Sequence, residues 1–257
     1  MSALRLREEA ELHTRILRCT LAANESSAYW ARASQEDSAE QRNLRAFEER
    51  WFGSKSQAAV KVLLANLSAR FDAHPASMAV LRAWQGMPPS TRRLVSHWHL
   101  QFADPLYRRF TGHLLIQRRQ AARPTIDRDV VSRWVEDLAE GRWGASTRNT
   151  FASKLLSAAL EAGLVGGRRD PRPLTFPRVD DDALAYVLRF LRSVEIQGSI
   201  IDNPYLASVG LSGPFLEQRL RSLPGLVYGR VGDVIELEWA QPDLHAWQAQ
   251  PAEAVAR

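Results

Sequence analysis

Residues 146–172 read STRNTFASKLLSAALEAGLVGGRRDPR, an amphipathic helix running straight into a basic, glycine-turned loop or hairpin. At 100° per residue, Phe151, Leu155, Ala159 and Leu160 fall on one side, whereas Ser146, Thr150, Ser153, Lys154 and Ser157 recur on another. One side is suited to packing and the other to touching a groove. Ser146 is placed to cap the helix and Ala162-Gly163 to end it, and Gly166-Gly167 then permits the tight turn that projects Arg168, Arg169 and Arg172 outward. A winged helix presents itself to nucleic acid in this order. The plainer alternative is an ordinary core helix with a solvated face and a basic loop.

Upstream, the polar linker 118–124, RRQAARP, marks a domain boundary, and Asp127 to Glu140 predicts a helix carrying Val130, Val131, Trp134, Val135 and Leu138. Gly141-Arg142-Trp143-Gly144 turns that helix into the next. Helix, short glycine turn, helix and basic wing are thus expected in succession. Three segments follow: an N-terminal helical domain over 1–120, the winged-helix-like DNA-binding module over 121–178, and a helical and hairpin module over 179–257. The fold class is mainly α, a multi-helix protein with helix-turn-helix or winged-helix-like modules and a few short β-hairpins.

Within the first segment, Leu12, Ile16, Cys19 and Ala23 predict one helix. Ser54-x-x-Gln57 has the form of a capping box ahead of the stripe Val60, Leu63, Leu64, Leu67 and Phe71, with Tyr29, Trp30, Phe47, Trp51 and Phe52 as its core partners. Further helices are expected around Val80 and Trp84, over about Thr91 to Phe102, and after Asp104-Pro105. In the last segment Asp180-Asp181-Asp182 reads as a helix N-terminus. Ser212-Gly213-Pro214 starts a short helix through Phe215, Leu216 and Leu220, and Leu226 to Trp239 alternates like a hairpin around Gly229 to Asp233. That hairpin places Ile235, Leu237 and Trp239 inward and Glu236 and Glu238 outward, so this second winged-helix-like unit suits protein contact better than DNA.

Charge is unevenly distributed. Residues 108–178 hold fourteen basic against seven acidic side chains, and residues 179–257 six against eleven, within a net charge of +5. A positive block followed by an acidic third is expected where one face meets phosphate and another meets solvent or protein. All but Lys55, Lys61 and Lys154 of the basic residues are arginine, which suits phosphate contact but also follows from a GC-rich genome.

Several chemistries find no footing in the sequence. It contains neither a GxxxxGK[ST] phosphate loop nor a GxGxxG turn. His97 and His99 point apart on a helix, and the triple aspartate fans out at a helix start, so capping and structural roles are expected and no metal or cofactor is called for. The single cysteine, Cys19, lies in an apolar pattern and reads as a buried, inert thiol in a reducing compartment. No apolar run approaches the roughly 18 to 20 residues of a membrane span, and the first residues lack the form of a signal peptide. A soluble, cytoplasmic protein without catalytic residues is expected.

Five segments carry a family resemblance: Ala28-Tyr29-Trp30; Trp51-Phe52-Gly53-Ser54-Lys55-Ser56; Leu67-Ser68-Ala69-Arg70-Phe71; Trp143-Gly144-Ala145-Ser146-Thr147-Arg148-Asn149-Thr150; and Leu155-Leu156 through Leu160-Glu161-Ala162-Gly163-Leu164-Val165. From about Thr14 to Trp239 the chain resembles the BrxA family, small accessory proteins of the BREX bacteriophage-defence systems. The resemblance implies a cytoplasmic, largely helical, non-enzymatic protein that binds double-stranded DNA beside a methyltransferase and other defence proteins. Members have also been likened to an RNA-binding antitermination factor, and some described as inner-membrane proteins.

The residues expected to meet DNA follow from the pattern alone. Arg148 and Lys154 are the leading contacts, beside the hydroxyls of Ser146, Thr150, Ser153 and Ser157. Arg142, Arg168, Arg169 and Arg172 form a flanking phosphate clamp, and Arg118, Arg119 and Arg123 extend the track. This face lacks an Asn or Gln placed for adenine, so weak sequence preference is expected. The alternatives are an RNA-binding antitermination-like factor and a protein scaffold for other defence components.

Overall fold

The computed structural model describes residues 5–231, 234–241 and 243–248. A two-residue strand, β1 (Leu6–Arg7), precedes a short helix α1 (Arg15–Arg18) and α2 (Ala23–Arg32). The single helix expected through Leu12 and Ala23 is therefore two. Cys19 is extended and Ala22 is left-handed at φ 51°. The break is held from a distance: Arg70 donates to the carbonyls of Leu21 (2.7 Å) and Thr20 (2.9 Å), and Glu161 accepts from the Ala23 N–H at 2.8 Å. Groups from other helices satisfy the backbone that a continuous helix would have satisfied locally.

Next come α3 (Ala39–Glu48), α4 (Gln57–Phe71), α5 (Pro75–Ala83) and α6 (Pro89–Ala103). Ser56, not Ser54, caps α4 through the Ala59 N–H, and the reciprocal capping box belongs to Ser38 and Gln41 on α3. Phe47, expected in the core, is 40% exposed, whereas Tyr29, Trp30, Trp51 and Phe52 are buried. α6 is the central helix, buried on every side from Leu94 to Phe102 and packed by α2 and α4. Its buried polar side chains each find a partner: His97 bonds to the Tyr107 hydroxyl at 2.8 Å and that of Ser208 at 2.9 Å, His99 through Nε2 to that of Tyr186 at 2.7 Å, and Gln101 donates to Thr111, while His99 Nδ1 and Gln101 Oε1 have none among the described residues. Burial holds both histidines neutral, pushing His97 down to about 3 and His99 well below the ordinary range.

Asp104 caps α7 (Pro105–Arg109) through the Tyr107 N–H, and a π-helical turn over Phe110–Leu114 joins it to α8 (Leu115–Arg119). α8 thus contains Arg118 and Arg119, and the linker is shorter than the sequence suggests. The wing module follows, consisting of β2 (Thr125–Ile126), α9 (Arg128–Leu138), α10 (Ala145–Glu161) and β3 (Arg172–Pro173). α11 (Asp181–Ser193) starts at Asp180, whose carboxylate caps the Ala183 N–H, and packs on α6. Strand β4 (Val194–Glu195) runs parallel to β1.

The chain closes with α12 (Pro204–Ser208), α13 (Gly213–Ser222), the hairpin β5 (Leu226–Val231) and β6 (Val234–Trp239), and α14 (Leu244–Gln248). Leu226, Tyr228, Leu237 and Trp239 face the core; Glu236 and Glu238 face out. α13 runs through Phe215, Leu216 and Leu220 as expected; Leu216 and Leu220 are buried and Phe215 is 54% exposed. The Gly232-Asp233 end of the expected turn lies outside the described residues. One continuous core runs through all three segments of the chain. The architecture is mainly α with three two-stranded sheets among the described residues, and no described helix is long and apolar enough to cross a membrane.

Candidate nucleic-acid interface

Asp127 caps α9 through the Val130 N–H at 2.8 Å, and α9 buries Val131 and Val135 against α10. The turn 139–144 uses Gly141 at φ 68°, and Gly144 is the N-cap of α10, so Ser146 lies inside the first turn and is not the cap. α10 ends as its sequence indicates. The Leu164 N–H reaches the Ala159 carbonyl at 2.9 Å and the Gly163 N–H reaches Leu160 at 3.1 Å, with Gly163 at φ 78°. These are the two bonds of a Schellman cap.

The wing is then built by register. Ile126 faces Arg172 and Thr125 faces Pro173 in the antiparallel β2–β3 pair, and Val165 bridges Leu174 on the other edge. The returning strand therefore lies between the two others, with residues 166–171 as the loop; Gly167 at φ 74° makes its turn. Strand, helix, helix, strand, wing and strand in this order is the winged-helix arrangement. In the C-terminal unit, α12, α13 and the β5–β6 hairpin repeat part of it, but the preceding strand β4 pairs with β1 and does not join the hairpin.

α10 buries Phe151, Ala152, Leu155, Leu156, Ala158 and Ala159 and exposes Ser146, Asn149, Thr150, Ser153 and Ser157. The exposed stripe keeps the four hydroxyls the periodicity gave, whereas Lys154, placed with them, is only half-exposed, and there is one addition. Asn149 belongs to the stripe, its side-chain oxygen accepting from Ser132 at 2.9 Å while its amide donors meet no partner among the described residues. The expectation that this face lacks an amide side chain is corrected. At 100° per residue Asn149 sits only 60° from Ser146, close enough to share its face. Thr150 and Ser153 donate to the carbonyls of Ser146 and Asn149, leaving each hydroxyl oxygen free to accept.

The arginines divide into two groups. Arg148 donates to the Trp143 carbonyl at 2.7 Å and pairs with Glu136 of α9. Arg142 reaches the Leu12 carbonyl at 2.7 Å and lies over the Trp143 ring. Arg172 pairs with Asp170 at 2.6 Å, and Arg118 donates to the Thr125 carbonyl. Arg119 donates to the carbonyls of Thr175 and Ser208 and lies 4.0 Å from the centre of the Phe176 ring; burial lowers its pKa to about 10. These five hold the module together. The side chains of Lys154, Arg123, Arg168 and Arg169 make no hydrogen bond or ion pair among the described residues, and the last three are exposed. Two more exposed arginines on α9, Arg128 and Arg133, make no side-chain hydrogen bond or ion pair among the described residues, although the Arg128 charge also acts on Asp170; the sequence pattern singled out neither.

Asp170 opposes this charge only in part. Its slight burial disfavours ionisation, but hydrogen bonds from Arg172 and the Arg128 N–H prevail and hold its pKa below the ordinary carboxylate range. No group of three or more His, Cys, Asp or Glu side chains among the described residues is arranged to hold a metal ion.

No protein-family model matches the chain, and no curated protein does. The fold is similar to the crystal structure of an uncharacterized protein from Magnetospirillum magneticum, 14% identical, with a TM-score of 0.59 over 78% of this chain and 98% of that one. At that identity the likeness concerns the fold alone.

Proposed function

We propose that the protein is a non-enzymatic, cytoplasmic accessory protein that binds double-stranded DNA mainly through phosphate contacts. The observation that carries this reading is the pairing of an exposed polar stripe on α10 with unengaged cations on the wing and its approach, Arg168, Arg169 and Arg123. Lys154 is the cation on the helix itself. Cations already spent on internal carbonyls and carboxylates have little to offer a phosphate, so the contact set narrows to these four with Arg128 and Arg133. The resemblance to the BrxA family supports placing the protein in a BREX-type phage-defence system beside other defence proteins. Base readout rests on Asn149 and the hydroxyls, which is a thin set and fits weak sequence preference.

The test is competition at equal salt between a labelled duplex of about 20 base pairs and a matched RNA hairpin, since a duplex reader and an RNA reader differ in groove and strand geometry. Duplex preference supports the proposal; hairpin preference transfers the same cations to an antitermination-like role.

A further inference from the structure

The outer face of the β5–β6 hairpin is exposed, with nothing packed over it among the described residues. Register places Val227 opposite Glu238, Gly229 opposite Glu236, and Val231 opposite Val234 on that face. Val227, Val231 and Val234 are 65%, 79% and 63% exposed, and neither glutamate has an ion pair among the described residues. A face of three exposed valines and two unpaired carboxylates has the composition of a contact surface, and its complement must be apolar and basic.

The same chain carries that complement. Arg123, Arg168 and Arg169 stand exposed and unpaired around Ala121, Ala122, Pro124, Pro171 and Pro173, all of them exposed. The Leu174 N–H bonds to the Pro124 carbonyl at 2.9 Å and Thr125 faces Pro173, so the two stretches run side by side at the wing's base, with Arg123 at that end and Arg168 and Arg169 in the loop at the other. The two regions carry opposite net charge: residues 226–239 hold Arg230 against Asp233, Glu236 and Glu238, whereas residues 121–124 and 166–173 hold four arginines against Asp170.

We infer that the hairpin face of one copy docks on the wing surface of a second copy, in a head-to-tail contact. The two surfaces differ, so the contact is heterologous and propagates unless the rotation closes a ring. It engages the arginines that the proposed interface offers to phosphate, so self-association and duplex binding exclude one another at the wing. That consequence rests on the nucleic-acid reading; the contact itself does not.

Sedimentation velocity of the full chain, without nucleic acid, tests it at about 50 mM and about 500 mM salt, conditions that differ severalfold in screening length. Concentration-dependent association at low salt, abolished at high salt, is expected. The Glu236→Arg/Glu238→Arg and Arg168→Glu/Arg169→Glu variants should each be monomeric alone and associate when mixed, because each then supplies the charge the other lacks. A wild-type chain monomeric at low salt, a hairpin variant that associates like wild type, or a mixture that stays monomeric overturns the inference. So does a hairpin face that takes up another protein while copies of this chain ignore one another.

Discussion

The Arg148 guanidinium is paired with the Glu136 carboxylate across the two helices of the helix-turn-helix, and it also donates to the Trp143 carbonyl in the turn between them. The residue that sequence position marks as a leading DNA contact is a brace. Arg148→Ala should therefore lower stability by about 1 kcal/mol, the scale of a partly exposed ion pair plus one hydrogen bond. Urea unfolding measures it. A double-mutant cycle with Glu136→Gln should show coupling, and an additive result would deny the brace.

Lys154→Ala should behave in the opposite way. With no side-chain hydrogen bond or ion pair among the described residues, its removal leaves the unfolding midpoint in place, while duplex affinity weakens and the salt slope falls by about 1. Measuring both quantities on this pair of variants separates positioning from contact.

How far the sequence revealed this module depended on which interactions are local. The caps at Asp127 and Asp180, the Schellman end of α10 and the alternation of β5–β6 need only neighbours a few residues away, and their sequence signals are legible. The break at Cys19–Ala22 is made by Arg70 and Glu161, dozens of residues distant, and periodicity alone reads straight through it. The arginines divide for the same reason. Arg119 is spent on carbonyls of residues 175 and 208, which no spacing rule brings to its side, whereas Arg168 and Arg169 lie in a glycine turn and stay free as read. Ser146 and Ser54 each carried a cap-like signal; the helix start settled two residues away, at Gly144 and Ser56, in both cases.

Gly112 marks a close approach inside the π-helical turn. A Cβ built there would lie 2.4 Å from the Pro204 Cβ at the start of α12. Gly112→Ala should cost about 1–3 kcal/mol, the usual range for overpacking. Gly229→Ala, where a Cβ meets the Glu236 Cβ at an ordinary 3.7 Å, is the control in thermal unfolding and should change stability far less.

Acid should unfold the protein through its buried histidines. Burial holds His74 at about 4 and His97 at about 3, and His99 well below the usual range. In the unfolded chain each takes a proton near pH 6.5, so below that pH the unfolded state binds more protons and stability falls as pH falls. The limiting slope for three such groups is about 4 kcal/mol per pH unit, partly offset at lower pH by Asp104, whose pKa burial raises. Urea midpoints between pH 7.5 and pH 5 should drop steeply; a flat profile would contradict the neutral, buried assignment.

The most direct test of the account is fluorescence anisotropy of a labelled duplex of about 20 base pairs across a salt series, for wild type and for Lys154→Ala/Arg168→Ala/Arg169→Ala. Wild-type binding should weaken steeply with salt, and the variant's slope should be shallower by about 2 to 3, roughly one unit for each phosphate that the variant no longer neutralises. Absence of duplex binding at low salt, or a variant with the wild-type slope, would contradict a DNA interface on α10 and the wing.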